Sequence, residues 1–336
     1  VGPMGIAGLA ITFPLMNLVV AFCTMVSAGG SAISSIRLGQ KDLDGATEVL
    51  GNTLMFCLVN AFIFGSVSFI FLDDILRFFG ASNDTLPYAR DFMQVILLGT
   101  PVSYMMIGLN NVMRATGYPK KAMLSSMLSV GCNLVLAPIF IFVFDWGIRG
   151  AAFATLLSQS VALVWVLHHF LDKKTYIRFH RSTLKLRKRI VKQIFSIGMS
   201  PFIMNVCACC IVIFINYQLL SHGDDYSVGA FGIINRVQML FVMIVMGIAQ
   251  GMQPITGYNF GAGLVDRARR SVQLGIAAGC TMTTLGFVLA VFFPGMLVGM
   301  FTDSALLVER ASKALSISML SFPVVGAQII LSLIHI

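Results

Sequence analysis

The length of its apolar runs is the feature that most constrains the fold of this chain. Nine runs of about 20 residues or more carry almost no charged side chains, and each ends at a charged or Gly/Pro-rich connection. The strands of a membrane barrel are about half as long and alternate apolar with polar residues, which these runs do not. The sequence therefore predicts an all-α, polytopic transmembrane bundle. The runs cover residues 6–36, 48–72, 91–113, 120–144, 150–171, 193–220, 227–258, 271–300 and 308–331.

Composition supports this class and excludes others. Hydrophobic residues make up 57% of the chain and charged residues 11%, and the mean hydropathy is +0.87. The seven cysteines lie in apolar runs without a metal-ligand spacing to histidine, so we interpret them as packing residues. The sequence has neither a phosphate-binding Gly-x-x-x-x-Gly-Lys-Ser/Thr loop nor a nucleophile constellation. We therefore expect no enzyme, no bound cofactor or metal, and no ATP-driven pump.

The distribution of charge predicts the orientation. If successive connections alternate between the two sides, one side carries most of the lysines and arginines, including the basic stretch 173–192. The positive-inside rule places that side in the cytoplasm. The net charge of +9 then belongs to loops that face solvent or anionic lipid head groups. We predict membrane lipid as a partner, no nucleic-acid partner, and a monomer.

Two halves of the chain resemble each other at a constant offset of 222 residues. Gly39 and Asp44 correspond to Gly261 and Asp266, in equivalent loops. The helix-interrupting Pro101 corresponds in the same way to Pro323. The sequence thus indicates a tandem duplication whose copies form a parallel internal repeat.

The repeat also predicts the domain organisation of a longer protein with two six-helix lobes. Residues 1–171 form an N-terminal lobe without its first helix, and residues 172–192, the longest polar connection, form a cytoplasmic inter-lobe loop. Residues 193–330 form a C-terminal lobe without its last two helices. Residues 331–336, LSLIHI, are what a transposase adapter of sequencing libraries encodes, so we exclude them as a scar.

Four spaced stretches of the sequence carry a family resemblance: RLGQKDLDGA, RATGYPKKA, NLVLAPIFIFVFDWGIRGAAFAT and GMQPITGYNFGAG. They resemble the multidrug and toxic compound extrusion (MATE) family, in particular its bacterial branch of cation-coupled drug exporters. The resemblance implies a secondary active antiporter of the bacterial cytoplasmic (inner) membrane. Such a protein exports small cationic, amphipathic drugs in exchange for Na⁺ or H⁺ by alternating access.

The resemblance also implies a cation site in the N-terminal lobe. In that branch an Asn, an acid four residues later, a Thr in the following helix and an Asp in the first helix form the site. Asn133 and Thr155 match this pattern, Ala137 takes the place of the acid, and the Asp belongs to the missing helix. Two interpretations of Asn133 stay open: a cation ligand, or an amide that only bonds a neighbouring helix and contributes about 1 kcal/mol.

Arg236 is the only basic residue inside an apolar run, and burying a lone guanidinium is costly. We predict that it lines a substrate cavity between the lobes; the alternative is that its side chain extends to the membrane surface. Three prolines are candidate hinges, with simple packing kinks as the alternative. The predicted cavity residues are Asn205, Asn216, Asn235, Arg236, Gln250 and Gln253, and the predicted hinges are Pro101, Pro138 and Pro323.

Two other functions remain possible at this point. A lipid-linked saccharide flippase shares the two-lobe architecture, but it needs a cavity richer in basic residues to hold a pyrophosphate. A receptor or scaffold in the membrane is the second, and the sequence offers it no extramembrane ligand-binding domain.

Overall fold

A computed structural model describes residues 3–222, 225–302 and 304–332, except for the side chains of residues 3–7, 181, 216, 217, 219–222 and 225–228. Helices dominate this part of the chain and it contains no strand, which confirms the predicted class. The helices are α1 Pro3–Gly39, α2 Leu43–Ile70, α3 Leu72–Phe78, α4 Leu86–Leu98, α5 Thr100–Ala115, α6 Pro119–Pro138, α7 Gly147–Leu171, α8 Lys188–His222, α9 Asp225–Gly261, α10 Val265–Phe292, α11 Pro294–Gly299, α12 Ala305–Ser318 and α13 Phe322–Ser332.

The helices are long and apolar enough to cross a bilayer. Among the described residues, eight helical stretches meet this requirement, and the bent pair α4 and α5 makes a ninth if it counts as one span. In hydrocarbon every backbone N–H and C=O must bond within the protein, so apolar runs of this length fold as helices. The protein is therefore an integral membrane protein.

The chain divides into two compact units, residues 1–206 and 207–336, and the boundary falls inside α8. The predicted lobe boundaries at 171 and 193 stay a prediction. The residues 333–336 of the proposed adapter scar lie outside the described part of the chain, whereas Leu331 and Ser332 end α13.

The predicted 222-residue repeat appears in the bounds of the helices. The helices α1 and α9 begin and end 222 residues apart, as do α2 and α10. The first residues of α5 and α13, Thr100 and Phe322, are separated by the same number. Each unit thus contains the same run of elements.

The turn after the first helix of each copy shows how closely the copies agree. Lys41 has a φ of 61°, and its counterpart Gly263 has a φ of 74°. The N–H groups of both residues donate to the carbonyl three residues earlier at 3.0 Å. Those of Asp42 and Leu264 donate to the carbonyl five residues earlier at 2.9 Å. Both copies therefore end this helix with the same left-handed cap.

One predicted run, residues 91–113, is not continuous, and the expectation of a single straight helix is wrong there. The axes of α4 and α5 differ by 53°, with Gly99 at the break. Pro101 has no N–H to donate to the carbonyl of Leu97, and the hydroxyl of Thr100 donates to it instead at 2.7 Å. Gly99 has no side chain, so the methyl groups of Leu156 fit against it. The break is thus built into the packing.

The other two candidate hinges also lie next to irregular backbone. Pro323 is the second residue of α13 and follows a 3₁₀ turn over Met319–Ser321. Pro138 ends α6, and one π-helical turn, Ile139–Val143, follows it. A hinge role for Pro101, Pro138 and Pro323 stays a prediction.

The polar connection after α7 is packed against unit 1. Ile177 is buried, and the backbone of Thr183 lies directly on Gly51 of α2, where no side chain would fit. The N–H of Arg187 donates to Oδ1 of Asn52 at 2.6 Å, and its guanidinium lies 2.7 Å from Glu48. We call residues 172–187 the docked strap. Composition predicted a polar connection here but not its attachment to α2.

The first turns of α8 also pack on unit 1, through glycines that let backbones approach. The carbonyl of Ile194 lies against Gly29 of α1, and Gly198 lies against the carbonyl of Met25. Small residues allow membrane helices to pack closely in this way.

Candidate functional site

The predicted cation pair meets at the interface of α6 and α7. These helices are neighbours in sequence, joined by the π-helical turn and by a reversal in which Asp145 and Gly147 have φ values of 53° and 52°. The reversal brings Asn133 alongside Thr155. Nδ2 of Asn133 donates a hydrogen bond to Oγ1 of Thr155 at 3.2 Å. Two residues 22 positions apart thus form one polar contact in an apolar interface.

The hydrogen bonds of Thr155 fix the direction of the amide. Its hydroxyl proton is donated to the carbonyl of Ala151, one turn back on α7, at 3.0 Å. The hydroxyl oxygen can therefore only accept from Asn133, so the amide nitrogen faces it. The carbonyl oxygen Oδ1 of Asn133 is then the atom of this amide that can bind a cation.

The pair contains no acidic group. Ala137 lies one turn after Asn133 on α6, at the place where the family pattern has a carboxylate. Within the described residues, Asn133 and Thr155 bond to each other and to a backbone carbonyl, and no group of three or more His, Cys, Asp or Glu could hold a metal ion. The site offers neutral oxygen atoms alone, which can ligate a cation but cannot take up a proton near neutral pH.

A second polar contact on α7 was missed from the sequence. Gln159 lies four residues after Thr155, so the two side chains share one face of the helix. The hydroxyl of Ser103 on α5 donates to Oε1 of Gln159. Its spacing from Thr155 was the available signal. The same face of α7 thus reaches from the predicted cation pair to the helix that follows the break at Gly99.

The structure does not place the predicted cavity residues in one unit. Asn205 belongs to unit 1 and donates to the carbonyl of Pro201 on its own helix at 2.8 Å. Asn235 and Gln250 are half-buried in unit 2, Gln253 is buried, and Arg236 is exposed. The side chain of Asn216 lies outside the described part of the chain. The assignment of these residues to a substrate cavity stays a prediction.

Comparisons with known proteins agree with this architecture. The family model MatE matches residues 1–139 and 201–335. The chain belongs to the MatE family. This match confirms the resemblance drawn from the four sequence stretches.

Two curated relatives extend the comparison within the MatE family. The "Multidrug export protein MepA" of Staphylococcus haemolyticus (strain JCSC1435) is 30% identical over 255 residues, which are 76% of this chain and 56% of the relative. The protein of the same name from Staphylococcus aureus (strain N315) is 26% identical over 318 residues, 94% of this chain and 70% of that protein. This chain therefore spans little more than half of the first relative's length.

Solved structures match the fold of this MatE chain. One described as the "MATE multidrug transporter DinF-BH", in complex with a dye, has a TM-score of 0.89 and 34% identity, and the match covers 98% of this chain and 74% of that one. A "MATE in the bent conformation" has a TM-score of 0.86 and 24% identity, and the match covers 97% of this chain and 71% of that one. At that lower identity only the fold is comparable.

Proposed function

We propose that this MatE protein is a multidrug exporter, a secondary active antiporter that moves cationic, amphipathic compounds out of the cell by alternating access. The names of the curated relatives and the dye complex of a related transporter support this proposal. We place the protein in the bacterial cytoplasmic membrane, as a monomer among lipids.

The contact between Asn133 and Thr155 is the observation that carries the mechanism. An amide and a hydroxyl are paired across two helices inside apolar surroundings, and the amide carbonyl oxygen is left to bind a ligand. We propose that this pair helps to bind the coupling ion. Because neither group titrates near neutral pH, the pair itself suits Na⁺ rather than H⁺.

Dye efflux tests this proposal. Cells that lack their own exporters express the gene at the full length of its relatives, and ethidium efflux is followed under separately imposed sodium and proton gradients. We expect efflux that a sodium gradient drives and that Asn133→Ala abolishes or weakens at least tenfold. Ser129→Ala, a polar-to-alanine change one turn earlier on α6, is the matched control and should keep wild-type efflux.

Two outcomes would contradict the proposal in different ways. Efflux that Asn133→Ala leaves intact would remove the ion role of the pair but keep the exporter. Absence of efflux under both gradients, with the protein shown to be folded in the membrane, would overturn the exporter and favour the saccharide flippase.

A further inference from the structure

An open groove lies between α9 and α10 in unit 2, near the turn that joins them. Its volume is about 580 Å³. Its walls divide into two parts. Arg267, Arg270 and Ser271 line the part near the turn, and Ile248, Ile255 and Leu274 are among the apolar side chains that line the rest.

The repeat shows what the equivalent place in unit 1 contains. Arg270 corresponds to Glu48 at the offset of 222, and Leu274 corresponds to Asn52. Glu48 and Asn52 hold the docked strap through Arg187. In unit 1, therefore, the protein's own arginine fills this position and neutralises the glutamate.

Unit 2 has reversed the charge and left the position open. Neither Arg267 nor Arg270 belongs to an ion pair within the described residues. A Cβ atom on Gly251 of α9 would meet nothing within 4 Å, whereas its counterpart Gly29 lies against the backbone of Ile194. The groove thus has two guanidinium groups where unit 1 has a carboxylate already paired.

The form of the groove restricts its ligand. Two cationic side chains and a hydroxyl require an anionic group with several oxygen acceptors. Ile255 and Leu274 are more than half exposed, and they lie on helices that span the membrane. A water-soluble anion would leave this apolar surface uncovered. A molecule that joins a phosphate to acyl chains covers both parts.

We propose that this groove is a binding site for an anionic phospholipid. The phosphodiester lies between Arg267, Arg270 and Ser271, and an acyl chain follows Ile248, Ile255 and Leu274. Basic pockets between membrane helices on the cytoplasmic side bind such head groups. The site is separate from the pair Asn133 and Thr155, and it does not depend on the proposed drug export.

Native mass spectrometry of the purified protein in detergent tests the site, with phosphatidylglycerol as the probe. We expect one retained phosphatidylglycerol, with affinity about fivefold lower in Arg270→Ala and lost in Arg270→Glu, which restores the charge of unit 1. Arg269→Ala is the matched control. It removes the same charge from the neighbouring position, which does not line the groove, and should leave the affinity unchanged.

Two further arms separate a lipid from other ligands. Phosphatidylcholine has no net charge and should bind at least tenfold more weakly, and inorganic phosphate should not compete at equal concentration. Equal binding of the two lipids, competition by phosphate, or an equal loss in Arg269→Ala would each overturn the proposal. The melting temperature in detergent, measured for every variant, shows whether lost binding reflects lost folding; for an unfolded Arg270→Glu, Arg267→Ala replaces it.

Discussion

The guanidinium of Arg187, at the start of the polar-to-apolar transition before α8, lies 2.7 Å from the carboxylate of Glu48 on α2. The backbone N–H of the same arginine donates to Asn52, one turn further along α2. A surface ion pair alone contributes little, but here it accompanies a backbone bond and the close contact of Thr183 with Gly51. The inter-lobe connection is therefore attached to unit 1 along its length.

The contact at Gly51 predicts what releases the docked strap. A methyl group at this position would collide with the backbone of Thr183, so Gly51→Ala should displace residues 181–187 and lower the free energy of unfolding by about 1–3 kcal/mol. Trypsin should then cleave after Arg187 faster than in the wild type. Gly131→Ala, where an added Cβ meets nothing within 4 Å, is the control. Equal cleavage rates in the two variants would show that the strap is not held at Gly51.

The contact between Ser103 and Gln159 predicts an energetic coupling. The Ser103→Ala and Gln159→Leu variants each remove the same hydrogen bond, so the double variant should be less destabilised than the sum of the single variants. Polar contacts between membrane helices give coupling energies of about 0.6 kcal/mol, and up to about 1.7. Reversible unfolding in mixed micelles measures the cycle. Ser160→Ala, whose hydroxyl bonds only its own helix, should add independently to Gln159→Leu.

The left-handed caps predict opposite effects of one residue exchange. A non-glycine residue at positive φ costs about 1–2 kcal/mol, and the larger entropy of an unfolded glycine returns about 0.5–1. Lys41→Gly should therefore stabilise the protein by roughly 0.5–1 kcal/mol, and Gly263→Lys should destabilise it similarly. Thermal unfolding of both variants measures the two shifts. Shifts of the same sign would mean that the cap geometry does not limit stability here.

Ala137 predicts how the coupling ion can be changed. A carboxylate placed one turn after Asn133 would stand beside the pair and, unlike an amide or a hydroxyl, would take up a proton as the pH falls. In Ala137→Asp, dye efflux driven by a sodium gradient should gain a dependence on pH and rise as the pH rises and the carboxylate ionises. Ala137→Asn, which has the same shape without the charge, should show the pH dependence of the wild type. The same profile in both variants would separate this position from the ion site.

Sequence patterns predicted the helices well because hydrocarbon leaves an apolar chain few alternatives. They also predicted the contact of Asn133 with Thr155, since residues on consecutive helices joined by a short reversal meet at matching depths. The break at Gly99 was missed because Pro101 suggests a kink but does not fix its size; the methyl groups of Leu156 and the hydroxyl of Thr100 do. The docked strap was missed because a polar segment carries no pattern that names its partner. Its position depends on contacts with Glu48, Gly51 and Asn52, which are far away in the sequence.

The constant offset between the two copies has a consequence for how such a chain can change. From α1 to the first residue of α5, and from α9 to the first residue of α13, the elements keep the same spacing across four connections. Surface connections ordinarily gain and lose residues freely as sequences diverge. Here substitutions have replaced most residues in both copies, while insertions and deletions have left no net trace. The connections of this protein are therefore measured lengths, and engineering that lengthens one of them, by an epitope tag or a fused domain, should be less tolerated than replacement of the residues within it.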